Sequence, residues 1–353
     1  MKKLIAITLV LAALVLTLAS CGAINKNEVA VLWSDLSDDY LFTISDALDR
    51  AMYIDNIKYK HYDAKNDSAE QLNQAKAAIA AGAPALIVNP TDVLTATAIL
   101  DEAKGAGIPL VFLCSKFAAE VAQLAGGYDK CITVNTDASN LYKTLGEKIA
   151  EDLLEKYDDY DRNNDGKITY TAFGLSSSAV PFINEKLTAA GKKELDGSVW
   201  TSVLPTTNVG ATINQIFGDY DGSGNEVNAT PTELILTDDD AYVEEILVAL
   251  RAYELNYKKL VTHFIPLYTV GVAANAADLI DSTNEDERAA YSVMSAIDDG
   301  FLSGAALEDD DAIALAAAHI VRNSIKGKPL FDKINEAYIK DGDIIVPYTF
   351  YGN

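Results

Sequence analysis

Ala85-Leu86-Ile87-Val88 and Ile108-Pro109-Leu110-Val111-Phe112-Leu113 flank residues 92–106, which end near Gly105 and Gly107. The two apolar runs have strand length, and the segment between them has helix length and a glycine stop. An uninterrupted apolar run suits a parallel strand buried on both faces, and the return through a helix supplies the crossover that parallel pairing needs. The same alternation extends toward the N-terminus. Val29-Ala30-Val31-Leu32 and Ile57 to Tyr62 read as strands, with helices at 39–53 and 68–82. Leu41, Ile44, Leu48 and Met52 fall at helical spacing in the first of these helices.

Toward the C-terminus the rhythm continues. Cys131-Ile132-Thr133-Val134 starts a strand, and Asn135-Thr136-Asp137 leads into a helix from Ala138 to Tyr157. Strands follow at Ile168 to Phe173, Val199 to Val203, Glu233 to Thr237 and Pro266 to Val272, with helices near 180–191, 207–218, 239–252 and 286–299. Two α/β sheets of similar build, parallel and covered on both faces, account for the pattern. The polar connections 222–230 and 281–287 do not have the character of domain boundaries.

One loop carries its own chemistry. Asp161-Arg162-Asn163-Asn164-Asp165-Gly166-Lys167-Ile168-Thr169 has oxygen side chains at positions 1, 3, 5 and 9, glycine at 6 and an aliphatic residue at 8. A hard cation takes oxygen ligands, glycine permits the sharp turn, and the Lys167 carbonyl can face inward. Position 12 of a helical calcium loop is a bidentate Glu, and here it is Ala172. Either the loop is a polar turn without a tight site, or its last ligand comes from elsewhere in the chain.

Lys2 and Lys3 precede an apolar run from Leu4 to Leu18, followed by Leu18-Ala19-Ser20-Cys21. This is the order of a secretory signal peptide, residues 1–20, and is too short for a stable span. Cys21 after Leu-Ala-Ser resembles a bacterial lipobox, which implies cleavage before Cys21, lipid on its thiol and a lipidated linker over 21–26. Loss of Lys2 and Lys3 moves the formal charge from −24 to −26. That balance argues against nucleic acid and suits an exported protein that touches the membrane by its lipid anchor only. Three Cys do not make a disulfide scaffold, and buried free thiols are expected at Cys114 and Cys131.

Several segments together carry a more specific resemblance. They are Val31 to Leu48 with Ser37-Asp38-Asp39-Tyr40, Asp63-Ala64-Lys65-Asn66-Asp67-Ser68, Ala85 to Asp92, Ile108 to Phe112 and Val134-Asn135-Thr136-Asp137. The loop at 161–169, Glu233 to Ala241 and Ile345-Val346-Pro347-Tyr348 complete the set. With these segments the chain resembles the calcium-containing glucose/galactose-binding proteins of bacterial ABC transporters. The resemblance implies a periplasmic-binding-protein type I fold, with two doubly wound parallel-sheet lobes joined by a three-crossing hinge near Thr136-Asp137, Leu307-Glu308 and Val346-Pro347. The lobes would be 27–136 plus 309–346 and 137–308 plus 347–353, with the family's closing C-terminal helix missing or reduced. It also implies structural calcium (Ca2+) held by Asp161, Asn163, Asp165, the Lys167 carbonyl, Thr169 and Glu233. Thr169 stands where the family has a longer amide, which leaves room for water.

The implied ligand site lies in the cleft between the lobes. Asp38 matches a hydroxyl-binding Asp and Tyr40 a stacking aromatic. Cys114, Asp239 and Glu308 stand where the family has Asn, and Ala273 where it has Asp. Ala179, Pro181 and Glu185 replace a His, an Asp and an Arg, and the second stacking Trp falls near Pro205 or Thr206. The loss of the Arg leaves an anionic ligand without a visible counter-charge, so a neutral sugar or nucleoside-like solute is expected, with a cationic one as the rival. Asp238-Asp239-Asp240 reads equally well as a helix N-cap. His61, His263 and His319 neighbour no Ser or Cys in a triad motif, so catalysis is not expected. The expected role is that of a monomeric receptor delivering solute to an ABC permease. A sensor reporting occupancy and a vestigial cleft are the alternatives. Cys21→Ala should move the protein from the membrane fraction to the soluble fraction on ultracentrifugation. A variant that stays with the membrane refutes the lipobox.

Overall fold

A computed structural model of the chain describes residues 27–113, 116–174, 176–200, 232–238, 241–252, 255, 264–270 and 293–352. The signal segment, the linker 21–26 and the helix expected at 207–218 lie outside them. The chain divides into two compact units, Met1–Thr136 with Asp310–Val346, and Asp137–Asp309 with Pro347–Asn353.

In unit 1, β1 (Val29–Trp33), α1 (Asp39–Ile54), β2 (Tyr59–Asp63), α2 (Ser68–Ala80), β3 (Leu86–Val88), α3 (Val93–Ala106), β4 (Leu110–Leu113), α4 (Ala118–Ala125) and β5 (Cys131–Thr136) follow in order. In unit 2 come α5 (Ala138–Glu155), the single turn α6 (Tyr157–Tyr160), β6 (Thr169–Phe173), α7 (Val180–Ala189) and β7 (Asp196–Trp200). They are followed by β8 (Leu234–Leu236), α8 (Ala241–Ala252), β9 (Leu267–Val270), α9 (Val293–Asp298) and β10 (Gly304–Leu307). The chain then returns to unit 1 for α10 (Asp310–Ile325), β11 (Ile339–Lys340) and β12 (Asp343–Val346), and ends in unit 2 with β13 (Thr349–Gly352).

The sheet orders are β11-β12-β5-β4-β3-β1-β2 and β13-β10-β9-β8-β6-β7. They are not wholly parallel: β11 pairs antiparallel with β12, and β13 with β10. Only two residues separate β11 from β12, a connection that permits an antiparallel hairpin but no parallel crossover. The strand expected at 199–203 begins earlier, at Asp196, because its pairing with β6 starts at Thr169 opposite Asp196; residues 201–203 lie outside the described residues.

Alternation along the strands fills both faces of each sheet. Val29, Val31 and Trp33 join the core under α1 and α10, while Ala30 and Leu32 join the core under α2 and α3. In unit 2, Leu234 and Leu236 face α5 and α7, and Ile235 faces α8 and α9. Gly146 of α5 lets α7 approach, since a Cβ there would meet the Ala179 carbonyl at 2.6 Å. Caps define the helix starts in unit 1. Asp38 accepts from the Leu41 N–H at 3.1 Å, Asp67 from Ala69 and Glu70 at 2.9 and 3.0 Å, and Asp92 from Thr95 at 2.7 Å. Each such cap contributes about 1 kcal/mol.

Two polar ties run through unit 1. The Trp33 indole donates to His61 Nδ1 at 2.7 Å, and His61 Nε2 lies 2.7 Å from Asp49. Asp55 at the end of α1 is nearly buried; its Oδ1 accepts from Arg322 at 2.6 Å and its Oδ2 lies 3.4 Å from His319 Nε2. Burial outweighs the pull of Asp55 and lowers the His319 pKa, so Arg322 is the permanent charge that faces Asp55. Arg322→Leu should therefore cost about 3–5 kcal/mol in urea denaturation at pH 7, because it leaves Asp55 as a buried, uncompensated charge. Asp55→Leu combined with Arg322→Leu should recover most of that loss.

Candidate functional site

In each sheet the first strand has the second strand on one side and the third on the other: β2 and β3 flank β1, and β7 and β8 flank β6. Open α/β sheets bind ligands at the carboxyl ends of the strands where the order reverses in this way. The residues just beyond β1 and β3, and just beyond β6 and β8, therefore form the candidate ligand-binding ends of the two sheets.

In unit 1 these ends are tied by side chains. Ser34 donates to Asn89 Oδ1 at 2.6 Å, and the buried Asn89 donates to the Leu113 carbonyl at 3.1 Å, joining the ends of β1, β3 and β4. The Gln71 amide holds the Asn89 carbonyl at 2.8 Å and accepts from the Thr91 N–H at 3.0 Å. Asp35 receives the Ser37 hydroxyl at 2.7 Å, the Ser37 N–H at 3.0 Å and the Asn66 amide at 2.5 Å. The Ser37 hydroxyl and N–H hold the Asp35 pKa below the usual carboxylate value. Asp38 stands at this rim because it caps α1, and Lys116 Nζ lies 3.9 Å from its Oδ2. Lys116, which follows β4, thus places a cation beside Asp38 that was not singled out from sequence. Tyr40 is half-buried and packs on the core under α1. Cys114 lies outside the described residues.

In unit 2 the reversal point holds Gly174 and Asp238. Gly174 has φ +64°, and a Cβ there would sit 2.0 Å from Asp238 Oδ1, so only glycine lets this carboxylate rest against the end of β6. The Tyr142 hydroxyl of α5 donates to Asp238 Oδ2 at 3.5 Å, and burial followed by the Asp238 charge pushes the phenol up to about 12. Glu308, expected at the ligand, accepts from the Tyr348 hydroxyl at 2.7 Å. Ala179 is buried beneath Gly146, while Pro181 and Glu185 are exposed on α7. Those three do not form a polar cluster. Asp239 and Ala273 lie outside the described residues. Ser34, Asn89 and Tyr142 were not singled out from sequence, and Asp238 was read there only within the run Asp238-Asp239-Asp240, as a helix N-cap or a ligand contact. Their signal is topological, since each follows or faces a strand end whose place in the order is invisible until the sheet is assembled.

The loop at 161–169 is built by its own side chains. Asp161 accepts from Asp165 N at 3.1 Å and Gly166 N at 2.8 Å, Asn163 from Asp165 N at 2.8 Å, and Asp165 from Lys167 N at 2.8 Å. Glu233, at the start of β8 and 1% exposed, reaches this loop. Its Oε1 accepts from Arg162 N at 2.8 Å and Asn163 N at 3.4 Å, and its Oε2 from Thr169 N at 2.9 Å and Thr169 Oγ1 at 3.2 Å. The Tyr157 hydroxyl donates to the Gly166 carbonyl at 3.0 Å. Burial raises the Tyr157 pKa, and so do the charges of Asp161, Asp165 and Glu233, which all act on this one ring. Among the described residues, no three side chains of His, Cys, Asp and Glu alone are gathered to hold a metal. The donor set is all oxygen and carries three carboxylates, which suits a hard cation. Thr169 and Asn163 make the longest of the Glu233 contacts.

Comparison with known proteins agrees with this architecture. The profile of the periplasmic binding protein domain matches residues 29–329. The ribose import binding protein of Bacillus subtilis is 26% identical over 122 residues, which are 31% of this chain and 40% of that protein. The chain thus matches less than half the length of that relative. A solute-binding protein from Actinobacillus succinogenes, solved with D-allose, superposes with a TM-score of 0.58 at 15% identity, covering 93% of this chain and 98% of that one. One from Bacillus halodurans, solved with myo-inositol, gives 0.51 at 19% identity, with 94% and 96% covered. At these identities the likeness establishes the fold.

Glu233→Ala should lower the melting temperature even with chelator present, since it strips partners from the N–H groups of Arg162, Asn163 and Thr169 at about 1–3 kcal/mol for each buried donor. Glu233→Gln, which keeps acceptor capacity on one oxygen, should lose less. Equal melting of both variants and the parent would show that the carboxylate does not hold the loop.

Proposed function

The chain belongs to the periplasmic binding protein domain family, and we propose that it is the solute-binding lipoprotein of an ABC transporter for a neutral sugar or cyclitol. Members of this family are extracytoplasmic binding proteins and not enzymes. The observation that carries the ligand class is the chemistry at the two reversal points: Ser34 with Asn89 in unit 1, and Tyr142 with Asp238 in unit 2. Hydroxyl groups of a polyol both donate and accept, so they suit carboxylates, amides and phenols set side by side. Lys116 beside Asp38 tempers the acidity of the rim and weighs against a polyamine. The ligands bound in the structural relatives, D-allose and myo-inositol, are of this class, as is ribose. Glucose and galactose belong to the same range. Tyr40 supplies an aromatic for the apolar face of a ring, and Asp239 and Cys114 stand as further candidates from the resemblance.

Calcium is proposed as a structural ion of the loop at 161–169. Asp161, Asn163, Asp165, the Lys167 carbonyl and Thr169, with Glu233, would hold it, and its charge would offset three carboxylates that now share backbone amides. Cys21 is proposed as the lipid attachment site, with a permease as the partner that receives the solute from a monomeric receptor.

Isothermal calorimetry with D-galactose, D-glucose, D-allose, D-ribose, myo-inositol and spermidine tests the ligand class. At least one neutral polyol should bind with a Kd on the order of micromolar or tighter, about −8 kcal/mol. Binding of spermidine alone, weakened by salt, or of none of the panel overturns the reading. Chelator should lower the melting temperature of the parent by several degrees, roughly what 1–2 kcal/mol produces in a protein of this size. An unchanged curve together with no calcium by elemental analysis removes the ion.

A further inference from the structure

Two neighbouring residues at the carboxyl end of the unit 1 sheet stand in a backbone region that side chains rarely enter. Lys65 has φ +53° and Asn66 φ +60°. Among the described residues this is the one place where two non-glycine residues in succession are left-handed. Glycine takes this conformation freely and asparagine tolerates it, whereas lysine does so less readily. The Asp67 N–H closes the turn on the Ala64 carbonyl at 2.9 Å. Left-handed pairs of this kind are usual in tight β-hairpins, but this turn leads from β2 into α2. Nor does α2 call for Asn66, since the next residue, Asp67, caps it. The conformation is explained by what the turn holds.

It holds the segment that follows β1. The Asn66 N–H donates to the Ser34 carbonyl at 2.7 Å, and the Asn66 amide donates to Asp35 Oδ2 at 2.5 Å. Asp35 Oδ1 in turn accepts from the Ser37 N–H at 3.0 Å and the Ser37 hydroxyl at 2.7 Å. Asp63, the last residue of β2, adds a second support, its Oδ1 accepting from the Leu36 N–H at 3.2 Å and the Lys65 N–H at 3.0 Å. The Asp38 N–H turns back to the Asp35 carbonyl at 3.4 Å. Leu36, Ser37 and Asp38 thus all have their amides engaged by these two turns. They are the residues that join Ser34 to the α1 cap.

The bonds sort the polar residues of this rim by task. Asp35 takes three donors from the protein and acts as a brace. Ser34 is held on two sides, its carbonyl by Asn66 and its hydroxyl by donation to Asn89 Oδ1 at 2.6 Å. A hydroxyl that has given its proton to Asn89 offers a solute acceptor lone pairs, which fit a donating sugar hydroxyl.

We infer that Asn66 is a positioning residue for solute binding: through Asp35 it pre-forms the segment 34–38, so that Ser34 and Asp38 are in place before a solute arrives. This rests on the reading of the reversal point as the solute site. Asn66 acts without touching the solute. A segment that is already ordered loses less freedom on binding, and the affinity gains by that amount.

The test uses the full chain. Asn66→Gly keeps the left-handed backbone and its N–H and loses the amide to Asp35. Its melting temperature should stay within about 2 °C of the parent's, because glycine relieves the backbone strain. Hydrogen exchange over residues 36–38 should speed up roughly tenfold, while exchange over 29–33 holds. Calorimetry with D-galactose, D-glucose, D-allose, D-ribose and myo-inositol should show that whichever of these the parent binds is held about threefold or more weakly. Asp35→Ala should weaken binding at least as much, and the double variant no more than Asp35→Ala alone, since the two residues act through one bond. Unchanged exchange over 36–38, faster exchange with unchanged affinity, or additive losses in the double variant overturns the positioning role. Faster exchange over 29–33 as well, with a lower melting temperature, assigns Asn66 to the stability of the sheet and also overturns it. A parent that binds none of the five removes the solute reading itself, a failure seen in the parent and so distinct from any failure of the variants.

Discussion

The placement of β3 and β8 governs what both units can do. Each returns to the far side of its unit's first strand, so the helices on either side of that strand leave toward opposite faces and its carboxyl end is left uncovered by helix. Polar groups collect there without being buried unpaired. Ser34 and Asn89 span the gap in unit 1, and Asp238 rests on Gly174 in unit 2. Had β3 been added beyond β2, Asn89 would lie two strands from Ser34, roughly 10 Å at ordinary strand spacing, out of reach of a hydrogen bond.

Burial on both faces makes these sheets legible in sequence. Val29 to Leu32, Leu86 to Val88 and Leu110 to Leu113 are apolar at every position because two helical layers cover them. Elements under other constraints are harder to read. β10 is Gly-Ala-Ala-Leu, too small in side chains to stand out, because the Phe350 ring fills the space at Gly304 where a Cβ would sit. α10 is rich in alanine and gains its definition from packing against α1. The edge strands β11 and β13 are short and reversed, outside the rhythm of strand and helix that identifies the rest.

The site divides along a similar line. The loop at 161–169 can be read from spacing, since its hydrogen bonds are nearly all local. Glu233 cannot, because it lies 64 residues from the Thr169 it binds, and only likeness to a family brings it in. Asp38 is found by both routes for different reasons: it matches a ligand contact, and it caps α1. A capping role fixes its position at the rim whether or not a solute is present. Asn89 carries no local signature, and it gains meaning only from the strand order, which also decides where the acidic run at Asp238 stands.

The Trp33 indole N–H points at His61 Nδ1, so the neutral imidazole keeps its proton on Nε2, facing Asp49. The chain's two tryptophans are Trp33 and Trp200, which fall in different units. Intrinsic emission is therefore a two-channel optical readout written into the sequence. Silencing either indole leaves a spectrum that follows the melting of one unit alone, and comparing the two traces shows whether the units unfold as a single cooperative block.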